Sequence, residues 1–470
     1  MTSEFADDVS YLTFLPISLI FVVICLVSLL KKKSKAVMAV VDNGFFRNEQ
    51  KLQRLKCSVK NYDWGKIGSD SEVYRLFSAN YEGNKLDPNK PYAEFWMGTH
   101  ESGPSHMAKK GKVSGNVNNG GDTLKSWIEK NPNVLGRKVV EKWGYDLPFL
   151  FKALSVAKTL SIQAHPCKEL AKKLHIKDPS VYKDGNHKPE MALAVTKFEI
   201  LCGFVGIEEL QKILKGVPEI SQLVGAAVVD QLLNITPEDE EGAVKAALKQ
   251  LFTQIMSASE HVIAEVLSQL VPRLRKKDAL TSEEKLVLRL EKEYPGDVGV
   301  LAAFLMNYVT LNPGEALCLG ANELHAYVSG DCIECMATSD NVVRAGLTPK
   351  KRDVKTLCDM LTYKVGRPDI LRGFSVEGTD GRTKRYRPPF EEFEVDHCDL
   401  PEGTSTKFPA MGGPSLFLVT EGTGIIRTTF SVEMVRVGDV LFAPANTKIS
   451  IESSGRRFQL YRAGVNSKFL

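Results

Sequence analysis

Hydrophobic and polar positions follow two different periods along the chain. From residue 52 to residue 204, short apolar or aromatic runs such as "KPYAEFWMGTH" are bounded by Gly, Asn and Pro. This pattern predicts short β-strands joined by turns. Between residues 205 and 295, apolar residues recur every three or four positions, as in "EEGAVKAALKQLFTQIM", which predicts amphipathic helices. After Pro295 the strand pattern returns and continues to the end of the chain.

The pattern therefore predicts a mainly β protein whose first β-unit is interrupted by helices. We place the first unit at residues 52–204 and 296–366, the helical domain at 205–295 and a second β-unit at 367–470. Short strands with Pro-Gly, Gly and Asn turns are typical of β-barrels and sandwiches. Inside the helical domain, Thr281 and Glu284 have the spacing of a capping box, which marks a helix start.

The N-terminal extension, residues 1–37, differs from the rest of the chain. Residues 11–30 contain no charge and are about long enough to span a bilayer. Lysines follow this segment, and acidic residues precede it, so the remainder of the chain is expected in the cytosol. A cleaved signal peptide fits poorly, because the positive charge lies on the wrong side. Alternatively, translation starts at Met38 and the extension is not part of the natural protein.

Composition excludes several classes of protein. The chain has 470 residues, a net charge of only +4 and basic and acidic residues mixed throughout, so no electrostatic footprint for nucleic acid is present. Nine cysteines at scattered spacings favour a reducing compartment over a disulfide framework. We therefore expect a cytoplasmic, globular protein without a nucleic-acid partner, and we expect it to be a monomer.

Candidate chemistry lies on the stretch "SIQAHP". If this stretch is a strand, Ser161, Gln163 and His165 project to one face. Two further stretches also place polar residues two positions apart, on one face of an extended segment. These are Lys188 and Glu190 in "HKPEMALAV", and His325 two residues before a tyrosine in "NELHAYVSGD".

Each of these observations is weak when taken alone. A histidine near an apolar strand is usually a hydrogen-bonded core residue, and a glutamate beside a lysine is usually a solvated ion pair. Their convergence changes the interpretation, because one amide, two imidazoles and one carboxylate occur on turn-flanked strands of one β-unit. Oxygen and nitrogen donors of this kind suit a borderline cation such as Zn²⁺.

Four long segments also resemble one protein family. The stretches "NYDWGKIGSD", "LSIQAHP", "HKPEMALAVTKFEILCGF" and "NPGEALCLGANELHAYVSGDCIECMATSDNVVRAGLTPK" are similar, in this order, to type I phosphomannose isomerases. The resemblance extends from about residue 57 to the C-terminus and leaves out the extension. It implies cupin-like (jelly-roll) β-barrels in both β-units, and a zinc enzyme that interconverts mannose 6-phosphate and fructose 6-phosphate for GDP-mannose synthesis.

The resemblance also implies roles for individual residues. One zinc ion per chain would be bound by four residues: Gln163, His165, Glu190 and His325. The family's active-site arginine corresponds to Arg344. The pocket would be lined by Ser161, Lys188, Tyr327, Glu334, Asp340 and Lys350. One departure is Cys167, which stands where the family usually has Asp, and we expect little effect of it because the position is not a ligand.

The chemistry of an aldose–ketose isomerase assigns some of these residues to steps of the reaction and leaves the identity of the base open. The reaction needs a base at carbon and a group that stabilises the enediolate oxygen. Arg344 suits the second task, while Glu334, a zinc-bound water or hydroxide, and Lys188 as an assisting acid or base remain open for the first. Ser161 and Lys350 are the candidates for the substrate phosphate.

Three other classes of function remain as alternatives. A cupin-type metal-dependent oxygenase would also use His, Glu and Gln ligands, but it would not need a phosphate site. A non-catalytic sugar-binding cupin would keep the barrel without the ligand set, as the second β-unit does in "GDVLFAPANTKISI". A membrane-tethered scaffold rests on residues 11–30 alone.

Overall fold

The computed structural model describes residues 51–81, 86–108, 121–236 and 238–470. The extension 1–37 and its candidate membrane segment 11–30 lie outside these ranges, so both stay predictions. Within the described ranges, no helix combines the length and the apolar character needed to cross a membrane.

Strands dominate the chain before and after a block of helices. The strands before the block are β1 Gln53–Lys56, β2 Ser58–Lys60, β3 Lys66–Ile67, β4 Pro91–Tyr92, β5 Glu94–Met97, β6 His106–Met107, β7 Phe149–Val156, β8 Ile162–Ala164, β9 Glu190–Ala194 and β10 Phe198–Phe204. Directly after the block come β11 Met306–Leu311, β12 Ala316–Leu319, β13 His325–Ala337, β14 Val343–Gly346 and β15 Ile370–Leu371. The remaining strands are β16 Phe374–Ser375, β17 Thr383–Tyr386, β18 Glu394–Pro401, β19 Ser405–Phe408, β20 Ser415–Glu421, β21 Thr423–Arg427, β22 Val432–Arg436, β23 Val440–Ala443, β24 Ile449–Ser453 and β25 Arg457–Gly464.

The helices concentrate in the predicted insertion. Those before it are α1 Glu72–Asn80, α2 Leu124–Lys130, α3 Arg137–Trp143 and α4 Lys168–Lys177. The insertion itself contains α5 Ile207–Gly216, α6 Pro218–Val224, α7 Ala226–Leu233, α8 Glu241–Ser257, α9 Glu260–Arg275 and α10 Ser282–Glu293. Two short helices follow, α11 Gly299–Ala302 and α12 Val354–Met360. The mainly β fold with a helical insertion is confirmed.

The first β-unit is built around its longest strand, β13. The first half of β13 pairs with β10 and contacts β8, and its second half pairs with β7 and β9. A strand that pairs with different neighbours along its length joins two parts of a barrel wall. β13 thus links β8, opposite its first residue, with β9, which pairs along its second half.

The helical block packs on the outside of this barrel. Its amphipathic helices bury their apolar faces in one core together with Ile162, Val343 and Leu347, which come from β8, β14 and the loop after β14. The predicted capping box is present at the start of α10, where Thr281 accepts a hydrogen bond from the backbone of Glu284 and Glu284 accepts one in return. The strands that carry the candidate residues are therefore supported from behind by helices.

The second β-unit is a sandwich of an eight-stranded and a four-stranded sheet. Its eight-stranded sheet includes β1, whose Gln53 lies opposite Phe442 of β23. The first described strand is thus part of a sheet whose other members, apart from β6, lie near the C-terminus. The predicted domain boundaries assign residue 52 onward to the first unit, and strand pairing crosses that boundary.

The two β-units also share a hydrophobic core. Phe151 and Ile333 of the first unit and Leu418 and Phe442 of the second belong to one cluster of buried side chains. Apolar contact between two sheets removes both faces from water, and this burial stabilises their relative position. The first unit is therefore buried on one side by helices and on another by the second unit.

Candidate metal centre and active-site cleft

Three buried side chains converge where β8, β9 and β13 meet. His165 directly follows β8, Glu190 is the first residue of β9 and His325 is the first residue of β13. One ligand atom from each lies within 4.8 Å of the others. The two carboxylate oxygens of Glu190 lie 3.4 Å from Nε2 of His165 and 3.4 Å from Nε2 of His325. Among the described residues this is the group of metal-binding side chains that the fold brings together.

The imidazoles are held in the tautomer that a metal requires. Nδ1 of His165 lies 2.7 Å from the carbonyl oxygen of Asn341, and Nδ1 of His325 lies 3.1 Å from that of Glu323. Because a carbonyl oxygen can only accept, Nδ1 is the donor in both rings. The Nε2 atoms then carry lone pairs, and both are buried without a hydrogen-bond partner among the residues that the structure describes. Such orphaned acceptors, oriented by a second interaction, fit a metal ion.

The charge states of the group also fit a metal. Burial lowers the pKa of His165 to about 4, so the ring is neutral at pH 7. Burial alone would raise the pKa of Glu190, but Lys188 and the two imidazoles outweigh it, and this pKa lies well below its usual range. A metal binds deprotonated ligands, and the fold supplies a carboxylate and a neutral imidazole without any further proton loss.

Gln163 lies beside the group. In the strand register it is opposite His325 on one side and opposite Arg344 on the other. Its Oε1 accepts a hydrogen bond of 3.4 Å from the hydroxyl of Ser161, and its side chain lines a cleft. The predicted fourth ligand is therefore at the barrel end where the three other candidates converge.

The cleft has a volume of about 840 Å³ and lies between the barrel and the helical block. It is lined by six of the residues predicted from the sequence: Ser161, Gln163, Lys188, Asp340, Arg344 and Lys350. The other predicted residues, Tyr327 and Glu334 among them, are buried and do not line it. The helical block contributes Glu293 and Tyr294 to the opposite wall.

Arg344 is one of the cations that line the cleft. Its side chain is half-buried, and it makes no hydrogen bond or ion pair with any residue that the structure describes. Burial lowers the pKa of Arg344, and no carboxylate of the described residues opposes this effect. A guanidinium stays charged at neutral pH even so, which leaves a partly desolvated positive charge available for an anion.

Glu334 is held in a buried polar chain behind the cleft. Tyr327 donates its hydroxyl hydrogen to one carboxylate oxygen at 2.8 Å, and Lys152 lies 2.8 Å from the other. Burial raises the pKa of Glu334, and the nearby carboxylates of Glu190 and Glu94 add to this, although Lys152 acts against them. A carboxyl group with a raised pKa is suited to proton transfer near neutral pH.

Sequence reasoning missed Lys152, Glu94 and Trp96. All three line the cleft, and Lys152 lies 3.4 Å from Glu94 and within 4.9 Å of the Trp96 ring. A signal was present for Lys152, because a single lysine interrupts the apolar strand "FLFKALSV". A buried lysine needs a counter-ion, so such an interruption indicates a polar partner in the core.

Sequence reasoning also missed Asp184, in the loop before β9. Its carboxylate accepts hydrogen bonds from the backbone of Asp340 at 2.8 Å and from the hydroxyl of Ser339 at 2.8 Å. The next residue, Asn341, provides the carbonyl that orients His165. Asp340 itself contacts His100 at 3.2 Å, and this hydrogen bond lowers the pKa of the Asp340 carboxyl. Asp184 therefore holds the loop that orients a candidate ligand.

Comparisons with known proteins agree with this geometry. Three segments match descriptions of one family: residues 52–206 match the phosphomannose isomerase type I catalytic domain, residues 223–306 its helical insertion domain and residues 386–429 its C-terminal part. Mannose-6-phosphate isomerase 2 of Arabidopsis thaliana is 58% identical, over 91% of this chain and 97% of the relative. Mannose-6-phosphate isomerase of Homo sapiens is 42% identical, over 85% of this chain and 94% of the relative.

Solved structures show the same fold. A mutant of phosphomannose isomerase from Salmonella typhimurium superimposes with a TM-score of 0.73 at 26% identity, over 88% of this chain and 99% of that chain. A zinc-bound mannose 6-phosphate isomerase gives the same TM-score and coverage at 27% identity. The fold and the buried His–Glu–His group define a cupin-like protein with a metal-binding site. The chain belongs to the type I phosphomannose isomerase family.

Proposed function

We propose that the protein is a zinc-dependent isomerase that interconverts D-mannose 6-phosphate and D-fructose 6-phosphate through an enediol(ate). The observation that supports this most is the pair of buried Nε2 atoms on His165 and His325, which have no hydrogen-bond partner in the described ranges and lie beside a cleft lined by the guanidinium of Arg344. Metal ligands, a cation for a developing oxyanion and further cations for a phosphate are the groups that this reaction needs.

The proposed ligands of one zinc ion per chain are Gln163, His165, Glu190 and His325. Only Glu190 is charged in this set, so the bound ion keeps about one positive charge in its ligand shell. When bound, zinc supplies Lewis acidity toward a sugar oxygen. A neutral amide ligand maintains more of that acidity than a second carboxylate would.

Arg344 is proposed to stabilise the enediolate. Its side chain lines the cleft, and no carboxylate in the described part of the chain pairs with it, so its charge is available for the oxygen that becomes negative as the carbon-bound proton leaves. The polar groups of a water-poor cleft act more strongly than they would in bulk water.

Lys188 and Glu334 are proposed for the proton transfer at carbon. Lys188 lines the cleft, and its Nζ lies 3.2 Å from Glu190. Glu334 has a raised pKa but does not line the cleft, and its partner Lys152 does. Exchange of the C2 proton of substrate with deuterated solvent separates the two: replacement of the direct base abolishes exchange, whereas replacement of a supporting group only slows it.

Ser161 and Lys350 are proposed to bind the substrate phosphate, with Asp340 at the sugar hydroxyls. All three line the cleft. Tyr327 is proposed to act through Glu334, because its hydroxyl is directed to that carboxylate. This changes the substrate-contact role that the family resemblance implied for Tyr327.

The proposal is tested by a coupled assay with fructose 6-phosphate, with and without a chelator. We expect mannose 6-phosphate to form, activity to disappear with the chelator and zinc to restore it. Robust turnover in protein shown to be free of metal would refute the role of zinc. Oxygen consumption in the presence of iron, nickel or manganese would instead support the oxygenase alternative.

We propose that the protein supplies mannose 6-phosphate for GDP-mannose synthesis in the cytoplasm, and that it is a monomer with the domain boundaries given above. Isotope tracing from labelled fructose into GDP-mannose tests the first point, and light scattering tests the second. Fractionation of the full chain against one starting at Met38 tests the membrane segment, since equal solubility would exclude an anchor.

A further inference from the structure

The loop after β14 is bound by a carboxylate that belongs to the exit of the helical block. Asp297 lies between α10 and α11, and its Oδ1 accepts a hydrogen bond of 2.7 Å from the backbone of Leu347. Its Oδ2 accepts one of 3.1 Å from the backbone of Thr348. Two consecutive backbone donors of this loop are therefore satisfied by one side chain from another part of the fold.

The loop needs such an anchor because of its conformation. Leu347 has a φ of 53°, a left-handed backbone that costs a leucine energy, and its side chain is buried in the helical core. The backbones of Gly299 and Gly346 are also in contact, since a Cβ on Gly346 would lie 2.5 Å from Cα of Gly299. The left-handed backbone of Leu347 is unfavourable by itself. The charge-assisted hydrogen bonds that Asp297 accepts from this loop stabilise it and offset that cost.

The anchored loop carries a proposed phosphate-binding residue. Thr348 continues the chain of contacts, because its hydroxyl accepts a hydrogen bond of 3.1 Å from the backbone of Lys350. The loop begins directly after β14, which contains Arg344, and both Arg344 and Lys350 line the cleft. A displacement of this loop would thus move the Lys350 ammonium away from a bound phosphate.

We propose that Asp297 is a positioning residue for substrate binding: it fixes the loop 347–350 so that Lys350 meets the phosphate of the substrate. This rests on the proposed function, and on the proposed role of Lys350 in particular. The helical insertion then has a part in recognising the substrate, since the residue that sets the loop lies at the end of that insertion.

The test compares Asp297→Asn with Lys350→Ala, singly and together, in the zinc-loaded full chain. An asparagine keeps the size of the side chain but presents an N–H₂ group where Thr348 needs an acceptor. We expect each single variant to raise KM for fructose 6-phosphate about tenfold while kcat changes less than about twofold. The double variant should be no worse than Lys350→Ala alone, because both changes remove the same contact. Inhibition by inorganic phosphate should weaken in parallel.

Glu291→Gln is the matched control, because Glu291 accepts hydrogen bonds from the backbone of Gly296 in the same segment but makes no hydrogen bond or ion pair with the described loop 347–350. Its kinetics should equal those of the unchanged protein. Zinc content and the melting temperature of each variant are measured alongside, and Asp297→Ser serves as a second variant if Asp297→Asn folds poorly.

Distinct results would overturn the inference. If Lys350→Ala raises KM and Asp297→Asn does not, Asp297 has no positioning role. Additive effects in the double variant, or a fall in kcat with KM unchanged, would also refute it. If Lys350→Ala leaves KM unchanged, the inference fails together with the phosphate role of Lys350. The isomerase function itself would still stand, provided that the unchanged protein converts fructose 6-phosphate.

Discussion

The two β-units bury charged and polar side chains in opposite ways. In the first unit, the Nε2 atoms of His165 and His325 are buried, and no described residue forms a hydrogen bond with them. In the second, Arg385 forms two hydrogen bonds with Asp396, at 2.7 and 2.9 Å, and Arg462 forms a third with the same carboxylate at 2.7 Å. Both clusters lie inside a β-sandwich or barrel, yet one is unsatisfied and the other largely pairs with itself.

The difference separates a binding site from a structural network. A buried polar group without a partner costs free energy, and a protein retains it where a ligand supplies the missing interaction. A carboxylate shared between two guanidinium groups needs no ligand, because its partners are already in place. The second unit also contains isolated unsatisfied atoms, such as Nε2 of His397 and Nη2 of Arg462. What distinguishes the first unit is that its two unsatisfied imidazole nitrogens converge with a carboxylate, the one such group among the described residues.

The largest expected effect comes from removing a ligand of the unsatisfied group. Glu190→Gln removes the only negative charge of the proposed set, so zinc should be lost and kcat/KM should fall by at least about 10⁴-fold. Metal analysis and the coupled assay measure the two effects. The same substitution at Glu199, a glutamate of the neighbouring strand that does not line the cleft, is the control. Full zinc content in Glu190→Gln would contradict the ligand assignment.

Arg344→Ala should give the next largest effect. The half-buried cation leaves the cleft while the ligands stay, so kcat should fall by about 10³-fold with zinc content unchanged. Arg344→Lys, which keeps a positive charge, should recover part of this loss. Loss of zinc from Arg344→Ala would show that the residue supports the metal site instead of the reaction.

Substitutions in the buried ion pairs of the second unit should lower stability and leave catalysis unchanged. Asp396→Ala removes one of the two carboxylates that Arg385 and Arg462 share and leaves them only Glu394, which should lower the free energy of unfolding by about 3 kcal/mol. The kcat/KM of the folded protein should not change, since none of these residues lines the cleft. Denaturant unfolding measures the first effect. Asp399→Ala, which breaks the more exposed pair with Arg457, should cost less than about 1 kcal/mol.

The smallest expected effect concerns a contact between the two units. His187, one residue before Lys188, lies 2.7 Å from the carboxylate of Glu392. Burial alone would raise the pKa of Glu392, but the contact with His187 outweighs burial and the pKa is lowered. A lowered carboxyl pKa contributes stability above the unfolded value of about 4.3, and that contribution is lost as the pH falls through the folded pKa.

Glu392→Gln should therefore destabilise the protein by about 1 kcal/mol at pH 7, and the difference should shrink as the pH is lowered toward about 4. Denaturant unfolding at several pH values follows it. A difference that stays constant with pH would show that the carboxylate is not the source. His187→Gln should reproduce the loss at pH 7, because it removes the other partner.

Much of the fold could be predicted because it depends on local pattern. The change from period two to period 3.6 located the helical block, and the Thr281–Glu284 pair located the start of α10. His165, Glu190 and His325 were found because polar residues are conspicuous on strands that are otherwise apolar. Their convergence in the structure agrees with the metal group that the resemblance implied.

What could not be predicted depends on contacts between distant segments. Nothing in residues 53–56 indicates that they pair with a strand near residue 440, since any short strand can pair with many others. The roles of Asp184 and Asp297 were also hidden, because each binds backbone groups of a loop more than 45 residues away. Backbone donors are the same at every position, so a sequence does not show which of them a carboxylate will meet.

The pairing of β1 with β23 has a consequence for the newly made chain. Gln53 leaves the ribosome about 390 residues before its partner Phe442, and at typical rates of synthesis the interval is roughly 20 to 80 seconds. During this time one edge of β1 lacks its partner strand, and the apolar side chains of the first unit that pack against the second unit stay exposed. The nascent protein is thus exposed to aggregation until its last strands emerge, and chaperones that shield such edges should raise its yield during synthesis.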